Sequence, residues 1–153
     1  MTPNAPPLAR LFAIAYRSLV DGLHERLREQ GWTDVRPAFG FVLLAARGVS
    51  TTSTELAILM GTTKQAASKL VDTMAAAGYV RRVTPTGDAR RRPVELTPRG
   101  DELLAAVEAI YVDLESAWAA TLGDSQLERM RTDLVKVLAG EDGSSLPPVR
   151  PTW

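Results

Sequence analysis

The chain of 153 residues contains no cysteine and only one histidine, His24. Without thiols it can form no disulfide, no thiol redox switch and no thiolate metal site. A lone histidine without neighbouring metal-ligand side chains is usually structural or solvated. The sequence therefore predicts no metal site, and it indicates no bound cofactor.

Long hydrophobic runs are also missing. No apolar run is long enough to cross a bilayer, and residues 1–4 lack the basic-then-apolar pattern of a signal peptide. We therefore expect a cytoplasmic protein without a membrane partner. An apolar content of 45% and a charged content of 24% are typical of a soluble globular domain.

Motifs of the common enzyme classes are absent as well. The sequence has no glycine-flanked nucleophile elbow, no phosphate-binding loop of the GxxxxGK type and no dinucleotide fingerprint. The acidic pairs at 101–102 and 141–142 fall at a helix start and in a polar tail, where solvation explains them. The sequence predicts a protein that is not an enzyme.

The charges are unevenly distributed, although the formal net charge is zero. Residues 62–100 contain eight basic and three acidic side chains, a net charge of +5. Residues 101–153 contain four basic and ten acidic side chains, a net charge of −6. A basic middle segment beside an acidic C-terminal part favours a surface that contacts a polyanion.

Two consecutive helices are predicted between residues 52 and 78. TSTE at 52–55 has the pattern of a capping box, with a hydroxyl side chain followed three residues later by glutamate. This helix is expected to end at Gly61, because glycine tolerates a left-handed helix end. TTKQ at 62–65 predicts a second box and a longer helix that ends at Gly78. Two capped helices around a glycine turn are typical of a helix-turn-helix.

The longer helix separates an apolar face from a polar face. The apolar face repeats at helical spacing and must lie on a core; it consists of Ala67, Leu70, Val71 and Met74. The other face carries donors and acceptors of the kind that contact base edges in a major groove; it holds Gln65, Ser68, Lys69 and Asp72. Any surface helix has a polar outer face, so this helix alone supports both interpretations equally.

A β-hairpin is predicted directly after this helix. Residues 79–84 are rich in β-branched and aromatic side chains, residues 85–88 have turn chemistry, and 94–96 form a return strand. Arginines occupy positions 90–92 at the tip. A basic hairpin after a recognition-type helix predicts a winged helix, and we favour a DNA-binding role for the arginines over a solvated charge run.

From 31 to 100 the sequence resembles the MarR family of winged-helix transcriptional regulators. The matching segments are RPAF at 36–39, TELA at 54–57, KQA at 64–66, LVD at 70–72, GYV at 78–80, DAR at 88–90 and VELTPRG at 94–100. The family usually has Asp-Arg-Arg where this chain has DAR, so one wing charge is missing. Pro93 is expected inside the return strand, at an edge or in a shortened wing.

The resemblance and the periodicity together predict a mainly α fold. A flexible arm at 1–7 precedes a single domain at 8–140, and a Pro/Gly/Ser-rich tail follows at 141–153. Within the domain we expect a winged helix at about 36–100 between dimerisation helices at about 8–30 and 98–140. The helix at 38–47, with Pro37 at its first position, is expected to be buried on nearly all sides.

The resemblance implies a homodimer on a pseudo-palindromic DNA operator, more often a repressor than an activator. The residues expected on DNA are Thr63, Lys64, Gln65, Ser68 and Lys69 of the helix and Arg90, Arg91 and Arg92 of the wing. Gly87 and Asp88 are expected to shape the wing. The alternative is a winged-helix module that binds protein instead of DNA, although such a module would not need a basic tip.

The resemblance also implies release from DNA by a small aromatic, frequently acidic, ligand. Aromatic side chains on the segments that would form its cavity are Phe12, Tyr16, Trp32, Phe39, Phe41 and Tyr111. Arg17 or Arg47 would supply a cation for a phenolic carboxylate. Aromatic residues on apolar helix faces are as often plain core, so both interpretations remain open.

Overall fold

The computed structural model describes residues 4–84, 92–140, 143 and 146–148. These residues form a mainly helical protein with a small two-stranded sheet, which confirms the predicted fold class. None of the described helices combines the length and the apolar character needed to span a membrane. The elements in chain order are α1 (Leu8–Glu29), α2 (Phe39–Ala45), α3 (Ser53–Leu59), α4 (Lys64–Ala76), β1 (Val80–Arg82), β2 (Val94–Leu96), α5 (Pro98–Leu122) and α6 (Asp124–Leu138).

The capping box at the start of α3 is confirmed. The Glu55 N–H donates to Thr52 Oγ1 at 3.1 Å, and the Thr52 N–H donates to Glu55 Oε2 at 3.0 Å. Gly61 follows α3 with φ of +57°, the conformation expected of a glycine helix end. These local interactions determine where the first helix of the helix-turn-helix begins and ends.

The prediction of a second capping box that begins at Thr62 is wrong, because the helix cap lies one residue later. The N-cap of α4 is Thr63, not Thr62, and its Oγ1 accepts a hydrogen bond from the Ala66 N–H at 3.1 Å. Alanine has no side-chain acceptor to complete a reciprocal box. Gln65 therefore lies at the second position of the helix, where its side chain is exposed.

The wing sheet is short, and a third segment extends it. In the antiparallel pair of β1 and β2, Val80 lies opposite Leu96 and Arg82 lies opposite Val94. This third segment is the chain at Thr51, because Thr51 and Val94 exchange backbone hydrogen bonds of 3.0 and 2.6 Å. Pro93 precedes β2 rather than lying inside it, and its carbonyl accepts from the Val83 N–H at 2.8 Å.

The core of the winged helix lies beneath α4. The four predicted apolar residues of α4 are all buried, together with side chains of α2, α5 and the wing. Gly100, in the first turn of α5, is also buried, which lets that turn approach the backbone at Tyr79. Thr97 caps α5 and Pro98 occupies its first turn, where a proline is well tolerated.

The prediction for α2 needs two corrections. The helix is shorter than expected, and Leu44 is 60% exposed, so it is not buried on all sides. Pro37 lies before the helix in a tight turn, where its carbonyl accepts from the Gly40 N–H at 3.3 Å. Leu44 lines an open cavity between α1, α2 and α5, so core side chains do not cover this side of α2.

The outer helices leave apolar side chains exposed at their ends. In α6 Leu127 is buried, but Val137 is 79% exposed. The first half of α1 exposes several large apolar side chains, including Leu8, Leu11 and Ile14. Exposed apolar surface of this kind usually marks an interaction surface.

Candidate nucleic-acid interface and ligand cavity

One exposed face of α4 collects the residues predicted to contact DNA on this helix. Lys64, Gln65 and Lys69 are exposed, and Ser68 is half-buried beside them. Thr63 is exposed as well, although its hydroxyl oxygen is used in the helix cap. Residues 65, 68, 69 and 72 are three or four positions apart, so they share one face of the helix.

A side chain of the wing holds this face in place. Arg82 of β1 donates from Nη2 to the Ser68 carbonyl at 3.2 Å and to Ser68 Oγ at 3.1 Å. The same nitrogen lies 2.9 Å from Asp72 Oδ1, and the Arg82 side chain is only 17% exposed. Arg82 therefore couples the orientation of α4 to the wing sheet. From the sequence Arg82 is only one of the basic residues at 62–100, because a strand arginine gives no signal of its partner.

The other basic residues of the wing differ in their surroundings. Arg81 forms a cross-strand pair with Glu95, 3.1 Å between Nη2 and Oε2, and Arg92 is exposed. An exposed pair such as Arg81–Glu95 contributes little to stability. The remaining predicted wing residues lie outside the described residues; they are Gly87, Asp88, Arg90 and Arg91.

An aromatic cluster joins the α1–α2 connection to the wing and to α5. The Arg99 guanidinium lies 5.4 Å from the Trp32 ring centre and 4.9 Å from that of Tyr79. Tyr79 Oη donates to Asp34 and accepts from Arg99 at 3.3 Å. Burial, followed by the hydrogen bond to Asp34, raises the pKa of Tyr79. The Trp32 side chain, predicted for a ligand site, therefore packs in this cluster instead.

A cavity of about 210 Å³ lies between α1, α2 and α5. Three of the six aromatic residues predicted for a ligand site line it; they are Tyr16, Phe41 and Tyr111. Aliphatic side chains form much of the remaining wall. Two exposed charged side chains, Arg36 and Glu108, also line it. The cavity thus combines aromatic walls with few polar groups, as small-molecule sites do.

The other predicted cavity residues lie elsewhere. Phe12 is 46% exposed on α1, and Phe39 is buried in the core with its ring centre 6.0 Å from that of Tyr79. Neither of the two predicted cations lines the cavity, and each is paired with an acidic side chain. Arg17 lies 3.6 Å from Asp21, and Arg47 pairs with Glu108. Arg36 is the basic residue that lines the cavity.

His24, which the sequence indicates only as a structural or solvated residue, also lines the cavity. Its Nε2 atom is buried and has no hydrogen-bond partner within the part of the chain that the structure describes. Burial lowers the pKa of His24, and the charge of Arg28 lowers it further. A hydrogen bond to the Val35 backbone and the charge of Asp21 oppose these effects. A single histidine in an amphipathic helix gives no sequence signal that it faces a cavity.

Comparison with known proteins agrees with this geometry. A family model described as the MarR family matches residues 41–91. The crystal structure of reduced MarR from E. coli aligns with a TM-score of 0.73 and 25% identity, covering 89% of this chain and 99% of that chain. A comparison with curated protein sequences finds no match.

Two further solved structures are similar in fold. A mutant of MepR from S. aureus bound to an oligodeoxyribonucleotide has a TM-score of 0.59 and 21% identity, covering 88% of this chain and 97% of that one. A MarR-family protein of Mycobacterium tuberculosis in complex with salicylic acid has a TM-score of 0.66 and 24% identity, covering 88% and 98%.

The helices α3 and α4, each with a side-chain cap at its start, are followed by the short antiparallel wing of β1 and β2. This arrangement defines a winged helix-turn-helix protein. Within this class the chain is similar to the MarR family, whose model matches residues 41–91 and whose members of known structure share its fold.

Proposed function

We propose that this protein is a homodimeric, sequence-specific DNA-binding repressor of the cytoplasm, without enzymatic activity, that is released from its operator by a small ligand. The observation that carries the proposal is the exposed face of α4, which Arg82 of the wing holds in a defined orientation. The oligonucleotide-bound MepR structure supports DNA as the partner of this fold.

The helix and the wing have different roles in this proposal. Gln65, Ser68 and Lys69 enter the major groove and contact base edges, which supplies sequence preference. Because Gln65 lies at the second position of α4 and not in a capping box, its amide remains suited to pairing with adenine. Arg90 reaches the adjacent minor groove, and Arg91 and Arg92 contact phosphates, which supplies affinity.

The proposal is tested by binding of the purified protein to the DNA that flanks its own gene. We expect a preferred site to be bound at least about 10³-fold more tightly than random duplex of the same length. The logarithm of the binding constant should fall linearly with the logarithm of the salt concentration. Fluorescence anisotropy at several salt concentrations measures both quantities. Binding without salt dependence would favour a protein-binding module instead.

Dimerisation is proposed through the exposed apolar ends of α1 and α6. These ends carry large apolar side chains that the single chain leaves uncovered, and a two-fold protein can match two half-sites about 34 Å apart. In an isologous interface a change in one chain appears twice, which amplifies its effect.

A charged substitution at the end of α6 is therefore expected to break the dimer. Val137→Glu places two buried carboxylates in the interface, whereas Val49→Glu alters a comparably exposed valine between α2 and α3. We expect Val137→Glu to shift the protein to monomers in sedimentation velocity and to abolish tight operator binding, while Val49→Glu stays dimeric. A dimeric Val137→Glu protein with full operator affinity would contradict this assignment.

Ligand release is proposed through the cavity between α1, α2 and α5. The cavity joins helices of the proposed dimer to α2 of the winged helix, so its occupancy can alter their relative arrangement. A ligand regulates only if it binds the DNA-incompetent arrangement more tightly than the competent one. Operator and ligand must then lower each other's affinity by the same factor. The salicylic acid complex of the M. tuberculosis relative supports an aromatic ligand.

A further inference from the structure

Tyr79 is a fully buried side chain whose hydroxyl group contacts an exposed residue. Its ring packs against Trp32 and against Phe39 of α2, with none of its surface exposed. Its Oη donates a hydrogen bond to Asp34, an exposed residue of the connection between α1 and α2. A phenylalanine would satisfy the packing alone, so the hydroxyl adds a directional contact between segments 45 residues apart.

The backbone of Tyr79 contacts a different part of the protein. Its carbonyl oxygen accepts a hydrogen bond from the Thr97 N–H at 3.0 Å, one residue before α5, and β1 begins at the residue after Tyr79. The connection that carries Asp34 is itself tied to α1, because the Trp32 N–H donates to the Leu27 carbonyl at 2.8 Å. Tyr79 therefore links the end of α1 to the wing and to the start of α5.

Arg99 completes this link from the first turn of α5. Its Nη2 donates to Tyr79 Oη at 3.3 Å, and its guanidinium lies 4.9 Å from the centre of the Tyr79 ring and 5.4 Å from that of Trp32. The Tyr79 hydroxyl thus accepts from a cation and donates to a carboxylate. Hydrogen bonds to ionised groups are stronger than those between neutral groups. Three segments therefore meet in one specific contact, which we call the Tyr79 junction; it consists of Trp32, Asp34, Tyr79 and Arg99.

The Tyr79 junction lies between the two parts of the protein that have to be aligned on an operator. The wing belongs to the proposed DNA-binding surface, whereas α1 belongs to the proposed dimer. In a two-fold dimer, the orientation of each winged helix relative to the dimer axis determines the distance between the half-sites that it can bind. The helix α5 is continuous between the two parts, and the junction attaches the wing to α1 at a second point. This second attachment restricts rotation about α5.

We propose that the Tyr79 junction sets the half-site spacing that the dimer accepts, with Tyr79 and Asp34 as positioning residues that do not contact DNA. This rests on the proposed function, in which a homodimer binds two half-sites at once. One base pair inserted between the half-sites moves one of them by about 3.4 Å and turns it by about 35° around the DNA axis. A protein with an intact junction must strain to follow this change. A protein without the hydroxyl contact follows it at a lower cost.

Tyr79→Phe tests this assignment, because it removes the hydroxyl and keeps the ring. The wild-type protein first selects its preferred duplex from random-sequence DNA. Anisotropy titrations then compare that duplex with a copy that has one base pair inserted between the half-sites. We expect the insertion to weaken wild-type binding roughly 100-fold, within the range of specificity ratios for DNA-binding proteins. In Tyr79→Phe this penalty should fall to roughly tenfold, because one hydrogen bond to a charged group contributes about a factor of ten.

Further variants separate the junction from a general loss of structure. Asp34→Ala should reproduce the reduced penalty, and combining it with Tyr79→Phe should add little, because both side chains act through one contact. Asp34→Asn, whose amide oxygen accepts, should restore part of the wild-type penalty. Affinity for a duplex with a single half-site should be unchanged in all of them, since one half-site imposes no spacing. Asp113→Ala is the matched control: it removes a 3.4 Å hydrogen bond from Arg26 that joins α1 to α5 outside the junction, and it should keep the full penalty.

Several outcomes would overturn the inference. A preferred duplex with the wild-type penalty in both Tyr79→Phe and Asp34→Ala contradicts the junction assignment alone, as does an equal reduction in Asp113→Ala. A wild-type protein that binds both spacings equally also contradicts it. Because Asp34 is exposed, Asp34→Ala remains decisive if Tyr79→Phe fails to fold. If the wild-type protein selects no preferred duplex, the proposed function itself fails, and the inference fails with it.

Discussion

Replacing Gly100 with alanine is expected to destabilise the protein by about 3 kcal/mol, because the new methyl group meets backbone atoms that cannot move freely. A Cβ at Gly100 would lie 2.1 Å from the Tyr79 carbonyl oxygen and 3.3 Å from Leu96 Cβ. That carbonyl also accepts the Thr97 N–H at 3.0 Å, immediately before α5. Moving it would disturb the cap of α5 and the start of β1 together.

Gly40→Ala is the matched control for this substitution. Gly40 lies in α2, and no described atom comes within 4 Å of a Cβ built there. Alanine is favoured over glycine in helices by up to about 1 kcal/mol, so this variant should be neutral or more stable. Urea unfolding followed by far-ultraviolet circular dichroism measures both variants. A Gly100→Ala protein with the wild-type midpoint would show that the α5–wing contact tolerates an added methyl group.

The sequence predicted the elements whose causes are local. The capping box formed by Thr52 and Glu55 depends on residues within one helical turn, and it is present. Thr62 and Thr63 are adjacent hydroxyl residues that can each cap a helix. Choosing between them requires the position of the backbone, so the prediction at α4 was off by one residue.

The cavity could be predicted only in part, since its residues come from separate helices. Trp32, Phe39 and Phe41 are all aromatic side chains close to α2, yet only Phe41 reaches the cavity. Trp32 and Phe39 pack against Tyr79 instead. Arg99, about 60 residues further along the chain than Phe39, belongs to the same packing. For the same reason the sequence could not show that His24 lines the cavity, because this depends on which atoms of the other helices surround its ring.

Substitution of the three wing arginines is expected to have the largest effect on DNA binding. In the triple variant with alanine at Arg90, Arg91 and Arg92, each lost phosphate contact reduces the salt slope by about 0.9. The two phosphate contacts of Arg91 and Arg92 together change it by roughly 1.8, which corresponds to roughly 30-fold weaker binding at 0.15 M salt from these contacts alone, and operator and random DNA should be affected alike. Anisotropy titrations on both DNAs across a salt series measure this.

Two variants separate this effect from general loss of charge and from base recognition. Arg81→Ala also removes a wing arginine, but this residue is already paired with Glu95, so the salt slope should change much less. Gln65→Ala should leave the affinity for random DNA unchanged and lower the preference for the operator by about tenfold. Ser68→Ala is less informative, because Ser68 also anchors Arg82 and the substitution alters the helix orientation as well.

Taken together, the salt slopes and affinity ratios of these variants distinguish the proposed regulator from a winged helix that binds protein. Phosphate contacts act on all DNA sequences and release counterions, so their loss appears in the salt slope. Base contacts act on the preferred sequence, so their loss appears in the ratio of operator to random affinity. If the triple arginine variant keeps both its affinity and its salt slope, the wing does not contact DNA, and the exposed face of α4 would have to be assigned to a protein partner.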